Sequence, residues 1–398
     1  MKILFFAPRL PFPLSQADRM TVFYYLRHLS KKHEITLITF YEEDAELEYL
    51  NEFCPYLYDY KLIKLKKYQA YFRVLMGLLF LKPMQQSYYN NRSMKNDVMN
   101  WVQNKEFDIV YMHTIRMSDY IDMFRNTPKV LGLQISMGLN YKRMFEYHTN
   151  LRIKVMYGLE YLLIRNFEYE RARAADMVFL ISNKDIKFVE QHKIPLNNVI
   201  PLPHGVDHRY FKKSYNEPKE KAIIFTGKLE YPPNEDAVLY FLNYIFPLIL
   251  KEHSDIIFYC IGKEPSKNIL KYQSKNIVVT GFVDDLRPYL ERSLISINPM
   301  RICAGLQNKV IEAMAMSLPV VCTSVANEGI NAVDKRDLIL KDDPREFADA
   351  ICDLLSDENK RTQIAANARS FIEREYTWEY FLDRFEVHIE NLHSQSSQ

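Results

Sequence analysis

Lys309 and Glu312 stand three residues apart within INPMRICAGLQNKVIEAMAMSLPVVCT, residues 297–323. The segment reads as strand, loop, helix, strand. Its loop, residues 300–306, carries Gly305, which lets backbone approach a ligand closely, and the N–H groups of Gly305, Leu306 and the helix start offer themselves to an anion. Val310, Ala313, Met314 and Ser317 recur at helical spacing and form a packed face, which leaves Lys309 and Glu312 together on another. A cation at a helix start and a carboxylate one turn later suit a nucleoside diphosphate. The lysine meets phosphate, and the carboxylate accepts hydrogen bonds from ribose hydroxyls. The same spacing also fits a solvated ion pair worth a fraction of a kcal/mol. A second candidate is His113, which ends the apolar run DIVYMH. At a strand end it is expected to face a cleft, where a neutral imidazole exchanges protons or hydrogen bonds near pH 7. A packed polar histidine is the plainer alternative.

The elements that must position these residues follow from the apolar pattern. KILFFA (2–7), EITLITF (34–40), DIVYMH (108–113), KVLGLQI (129–135) and DMVFLIS (176–182) read as strands, with helical patterns such as 19–31 and 91–104 between them. The series restarts with KAIIFTG (221–227), DIIFYCI (255–261), NIVVTG (276–281), SLISINP (293–299) and LPVVCT (318–323). Such alternation predicts two α/β units, each a mainly parallel sheet covered by helices. The expected divisions are a domain over 1–207, a polar linker over 208–220, a second domain over 221–375, and a C-terminal helix with a frayed tail over 376–398 that packs back toward the first domain. Ligands in such sheets bind beyond the carboxyl ends of the strands, which directs attention to the residues just after them.

What is missing narrows the chemistry. The formal net charge of +2 gives no global field for nucleic acid. The five cysteines are scattered with no C-x-x-C, which argues against a zinc ribbon or a disulfide framework and fits a reducing, cytoplasmic setting. The N-terminal apolar run is too short for a signal peptide, and the longest later one, residues 74–81, is far below the ~20 residues of a spanning helix. The ten glycines form no G-x-G, and there is no G-x-x-x-x-G-K-[ST] and no G-x-S-x-G. There is also no D-x-D to hold a divalent metal beside a diphosphate, so neither a cofactor nor a metal is expected.

EAMAMSLPVV, preceded by GLQNK, resembles the donor-binding signature of glycosyltransferase family 4. FEYERARAADMVFLIS (167–182), PHGVD (203–207, with His204 where the family has asparagine), FTGKLEYPPNEDAV (225–238), GFVDDLRPYL (281–290) and NEGI (327–330) resemble further family segments in the same order. The likeness spans essentially the whole chain and is closest to a bacterial subgroup associated with exopolysaccharide assembly. It implies a retaining, metal-independent, hexosyltransferase-like enzyme of the GT-B fold, with two Rossmann-like domains facing each other across a cleft. Carried over by position, Lys228 and Lys309 contact the donor diphosphate with Gly305 and Leu306, and Glu312 binds the donor ribose. The family's first glutamate of an E-x7-E pair falls on Ala304, a departure that leaves sugar recognition open, and Arg301 is the polar candidate in that donor-sugar loop. A second departure is Pro233–Asn234, where many relatives carry a base. In the loop after the first strand, Asp18 matches a subgroup aspartate, either catalytic on the acceptor side or a helix cap. His113 resembles the family's strand-end histidine and is the other catalytic candidate.

Between residues 61 and 95 stand Lys61, Lys64, Lys66, Lys67, Arg73, Lys82, Arg92 and Lys95, with no Asp or Glu and with aromatic and apolar residues interleaved. That pattern suits peripheral attachment to an anionic membrane face, or a packed helix with solvated lysines. The expected partners are a UDP- or GDP-linked sugar and a glycan or lipid-linked acceptor, in cell-surface or exopolysaccharide synthesis. Two other classes stay open: a nucleotide-sugar epimerase of the same fold, and a non-catalytic nucleotide- or glycan-binding protein.

Overall fold

A strand whose residues are buried on both sides belongs inside a sheet with helices on both faces. β1 (Lys2–Ala7), β4 (Ile109–His113), β8 (Ala222–Thr226) and β11 (Ile295–Asn298) are buried along all or nearly all of their length. In the computed structural model, which describes residues 1–14, 17–90, 92–147, 150–191, 193–214, 217–303 and 305–396, they form the middles of two separate sheets.

The first unit comprises Met1–Pro203 together with Phe381–Gln398. Its sheet adds β2 (Glu34–Tyr41), β3 (Asp59–Lys64), β5 (Lys129–Gln134), β6 (Met177–Leu180) and β7 (Val199–Pro201). The order is β3-β2-β1-β4-β5-β6-β7, parallel throughout, with Ile3 opposite Ile109 and Phe6 opposite Met112. The second unit, His204–Tyr380, adds β9 (Ile257–Ile261), β10 (Ile277–Gly281), β12 (Val320–Cys322) and β13 (Ile339–Leu340), in the order β10-β9-β8-β11-β12-β13. Strand order reverses between β1 and β4 in one sheet and between β8 and β11 in the other. Those reversal points open the crevices where such sheets take ligands.

Three strands were not expected from the sequence, namely β3, β7 and β13, and each is a sheet edge. β3 is nowhere fully buried, and β7 and β13 are three and two residues long, so none carries the continuous apolar run of a central strand.

The chain changes unit between Pro203 and His204, ahead of the expected boundary at 207. The polar stretch expected as a linker is fastened to the second unit: Ser214 N–H donates to Glu291 (3.0 Å) and Glu220 N–H to the Arg292 carbonyl (2.8 Å). Val206 bridges to Thr377, and a Cβ on Gly205 would strike the backbone at Thr377 and Trp378, so the outgoing and returning chain run side by side there. The helix Trp378–Ser396 carries the return into the first unit. Phe385 packs against Tyr25, Tyr111 and Phe179 at ring distances of 4.6, 5.4 and 5.1 Å. Glu386, 3% exposed, lies 2.8 Å from Lys32 Nζ and 2.9 Å from His33 Nε2. Among the described residues, no helix is long and apolar enough to cross a membrane.

Candidate active site

In the second unit, β11 ends at Asn298, a loop follows, and the helix Asn308–Ala315 begins. Gly305 takes a left-handed φ of 65°, and its carbonyl packs so closely on Gly329 that a Cβ there would have to displace it. Ile302, Cys303 and Leu306 are buried and anchor the loop from within. The N-cap residue of the helix that follows, Gln307, makes no side-chain cap bond to it, which leaves its first N–H groups suited to an anion. Ala304, the departure from the family pattern, lies outside the described residues.

Lys309 and Glu312 are both half-buried and do not form the ion pair that their spacing allows. The Lys309 ammonium instead donates to Asn234 Oδ1 at 2.5 Å and sits 4.7 Å from the centre of the Phe225 ring. Desolvation brings its pKa down to about 8. The Glu312 carboxylate accepts no hydrogen bond among the described residues, and desolvation raises its pKa to about 7 despite the pull of Lys309. A carboxylate held among protein atoms without donors is short of partners, and so is fit to receive hydroxyls. Asn298, 1% exposed at the strand end, likewise leaves both amide atoms without partners among the described residues.

Asn234, noted in the sequence only as a departure from the family pattern, has a role there that sequence reasoning missed. While its Oδ1 receives Lys309, its Nδ2 donates to the Lys228 carbonyl at 2.9 Å. One side chain thus ties the loop after β8 to the helix after β11, which span the reversal point of this sheet. Gly262 lies so close to the Gly227 carbonyl that a Cβ would overlap it, which fixes the same turn from below. Lys228 is exposed at the loop and ion-paired with Glu230. Arg301 is turned onto the helix Pro232–Tyr240, with its guanidinium paired to Asp236 (Nε to Oδ2, 3.0 Å) and 4.7 Å from the Tyr240 ring.

In the first unit, His113 is fully buried rather than open at the strand end. Its Nδ1 lies 3.3 Å from the Tyr111 hydroxyl, and its ring stacks 6.4 Å from Phe5. Thr114, immediately after it, is held at a φ of 66°, a conformation that strains a β-branched residue. Asp18 is the second residue of the helix Ala17–Leu29, inside its first turn and so not its cap. Its carboxylate lies 3.2 Å from Arg116 and 3.8 Å from Arg9. Burial would raise its pKa, but Arg116 and Arg9 outweigh that and hold it below the ordinary value. Next to this cluster is a cavity of about 220 Å³ lined by Arg9, Arg19, Tyr41, Glu42, Glu46, Leu65 and Tyr89 among others. The only forewarning of it was that Arg9 follows a buried strand.

Residues 220–357, which lie in the second unit, match the family model for glycosyl transferases group 1. The whole chain is similar to a 44.6 kDa protein of the cps region of Klebsiella pneumoniae, 26% identical over 393 residues, covering 94% of this chain and 96% of that one. Among solved structures, HepE of Anabaena in complex with UDP is similar with a TM-score of 0.69 and 12% identity, covering 98% of this chain and 100% of that one. Sucrose-phosphate synthase of Thermosynechococcus elongatus is similar with a TM-score of 0.70 and 12% identity, covering 99% of each. At such identities the structural likeness speaks for the fold, and the fold is GT-B, with Rossmann-like units of seven and six parallel strands.

Proposed function

We propose that this chain, a GT-B protein that matches the group 1 glycosyl transferase model over residues 220–357, is a retaining glycosyltransferase. It moves a sugar from a UDP- or GDP-linked donor to a glycan or lipid-linked acceptor in cell-surface polysaccharide synthesis, on the cytoplasmic face of a membrane. The observation that carries the reading is Lys309 and Glu312 on one helical turn, not ion-paired with each other, at the start of a helix whose N-cap residue, Gln307, makes no side-chain cap bond.

In this reading, Glu312 accepts the ribose hydroxyls, and the amides of Gly305 and Leu306 with the helix start take the diphosphate. Cleavage of the sugar–phosphate bond leaves negative charge on that diphosphate, and Lys309 stabilises it, oriented beforehand by Asn234. Lys228 exchanges Glu230 for phosphate when donor arrives. No metal has a part. Asp18 and His113 serve the acceptor side, His113 after a movement that gives its ring access. Arg301 leaves Asp236 to meet the donor sugar. The likeness to a cps-region protein supports polysaccharide as the product class, and HepE's complex with UDP supports a uridine donor. A lipid-linked acceptor is favoured because Leu65 and Glu42 of the first unit's cavity adjoin the helix Lys67–Leu79, whose outer face is apolar.

The test is a panel of UDP- and GDP-sugars offered to the purified chain, with thermal shift for binding and chromatography for turnover. Stabilisation by one nucleoside diphosphate and slow release of sugar from the matching donor are expected. Interconversion into another nucleotide sugar would reassign the protein as an epimerase. Binding with no turnover, even with lipid-linked acceptors present, would make it a carrier.

A further inference from the structure

The helix Lys67–Leu79 presents Tyr68, Tyr71, Phe72, Leu75 and Leu79 to solvent at i, i+3, i+4, i+7 and i+11, and Phe80 and Leu81 continue the stripe. These seven are each 61–72% exposed, which is the reverse of a surface helix that buries its apolar face. A second helix in the same unit, Leu151–Ala174, exposes Leu151, Val155, Leu159 and Leu162 along one side. The second helix is tied to Met84–Tyr89, the short helix that follows the first: the Glu160 carboxylate accepts the Met84 N–H, and Gln85 donates to Tyr141, whose ring lies 6.1 Å from Tyr157.

Charge identifies the occupant. Between residues 61 and 95 there is no carboxylate, and between residues 150 and 165 the one carboxylate, Glu160, is buried. Not all the bases counted in the sequence face outward. Lys64 and Lys67 pair with Asp44 and Glu43, and Arg73 donates to the Tyr88 carbonyl at 2.9 Å. Lys66, Lys82, Arg152 and Arg165 are exposed. The carboxylates at the rim of the first stripe, Asp44 and Glu43, are taken up by Lys64 and Lys67 respectively, so the unpaired charge beside the apolar side chains is that of the exposed bases, which complements an anionic lipid surface.

We propose that these two helices together form a membrane-seating face, in which the apolar stripes enter the acyl boundary of an anionic bilayer and the four exposed bases meet its head groups. It deepens the membrane part of the functional reading and stands apart from the transfer chemistry. The attachment is chiefly hydrophobic, so it resists salt better than attachment by bases alone.

The test is co-sedimentation of the full chain with vesicles of phosphatidylglycerol and phosphatidylcholine, against phosphatidylcholine alone. The wild type is expected to bind the anionic vesicles and to keep part of that binding in high salt. The variant Leu75→Ser, Leu79→Ser, Phe80→Ser changes only exposed positions and is expected to lose roughly tenfold or more in partition. Leu159→Ser with Leu162→Ser is expected to lose less. Both should keep the wild-type circular dichroism and the wild-type thermal shift with UDP, so a failed donor assignment leaves the vesicle result readable. Absence of wild-type binding, or a triple variant that binds as well as the wild type, overturns the proposal. So does a dimer in light scattering that the triple variant turns into a monomer, since the face would then belong to a second copy.

Discussion

The loops after β8 and β11 hold the same place in their sheet as the loops after β1 and β4 hold in theirs, yet the two treat charge in opposite ways. After β1 and β4, Asp18 is answered by Arg116 and Arg9, and Arg19 by Glu46 at 2.8 Å. After β11, Lys309 and Glu312 decline each other, and both titrate away from their ordinary values. Burying a charge without a counter-charge costs stability, and a fold keeps that arrangement where a ligand will supply the partner. On the proposed reading the crevice of the second unit is therefore poised but incomplete, whereas that of the first unit is already neutralised.

Breaking the incomplete side has the largest effect. Lys309→Ala removes a charge-assisted contact to phosphate worth about 2–3 kcal/mol, so UDP affinity by calorimetry is expected to fall on the order of a hundredfold. An unchanged affinity would show that Lys309 serves only to hold Asn234. Glu312→Gln comes next, with a loss of roughly tenfold. This variant also has an opposite effect on the empty protein. A folded pKa raised from 4.5 to about 7 means that Glu312 contributes stability below the unfolded value and loses it as pH rises through about 7. At pH above that, Glu312→Gln is expected to stabilise the unliganded chain by about 1 kcal/mol in thermal melts while weakening nucleotide binding. A residue kept only for structure gives no such opposition of sign.

The neutralised side should respond the other way. Asp18→Asn leaves Arg9 and Arg116 facing each other and is expected to destabilise the fold by about 1 kcal/mol, with UDP affinity unchanged. Because the folded pKa of Asp18 lies below its ordinary 3.8, the stability it confers is present above that value and is lost as pH falls through the folded pKa. The gap between wild type and variant in melts should therefore begin to narrow as pH falls below 3.8 and close only below the folded pKa of Asp18.

Much of this was legible in the sequence, and the boundary of legibility is physical. Central strands such as β1 and β8 are buried on both faces and leave continuous apolar runs, whereas β3, half-exposed at an edge, leaves none. Lys309 and Glu312 drew attention because their spacing is local, although that spacing fitted a solvated ion pair as well and their proposed roles came from the family resemblance. Asn234, which holds Lys309 from 75 positions away, and Arg116, which meets Asp18 across 98, leave no periodic trace, since the sheet and not the helix brings them together. His113 was read correctly as ending its strand, but its packing against Phe5 and Tyr111 depends on neighbours that only the folded sheet supplies.

The finest test concerns Lys228, which stands between the two patterns: it is on the proposed donor side, yet it already has a partner in Glu230. An exposed lysine that must leave one anion to meet another gains only the difference between two screened contacts. Lys228→Ala is therefore expected to weaken UDP binding by only about two- to fivefold, well short of Lys309→Ala. Glu230→Gln frees the same ammonium and is expected to tighten binding by a similar factor at low salt, an effect that fades as salt rises. If instead Lys228→Ala proves as damaging as Lys309→Ala, then both bases act as one buried grip in the complex. The donor would in that case close the loop after β8 over its phosphates, and the exposure of Lys228 would belong to the empty protein alone.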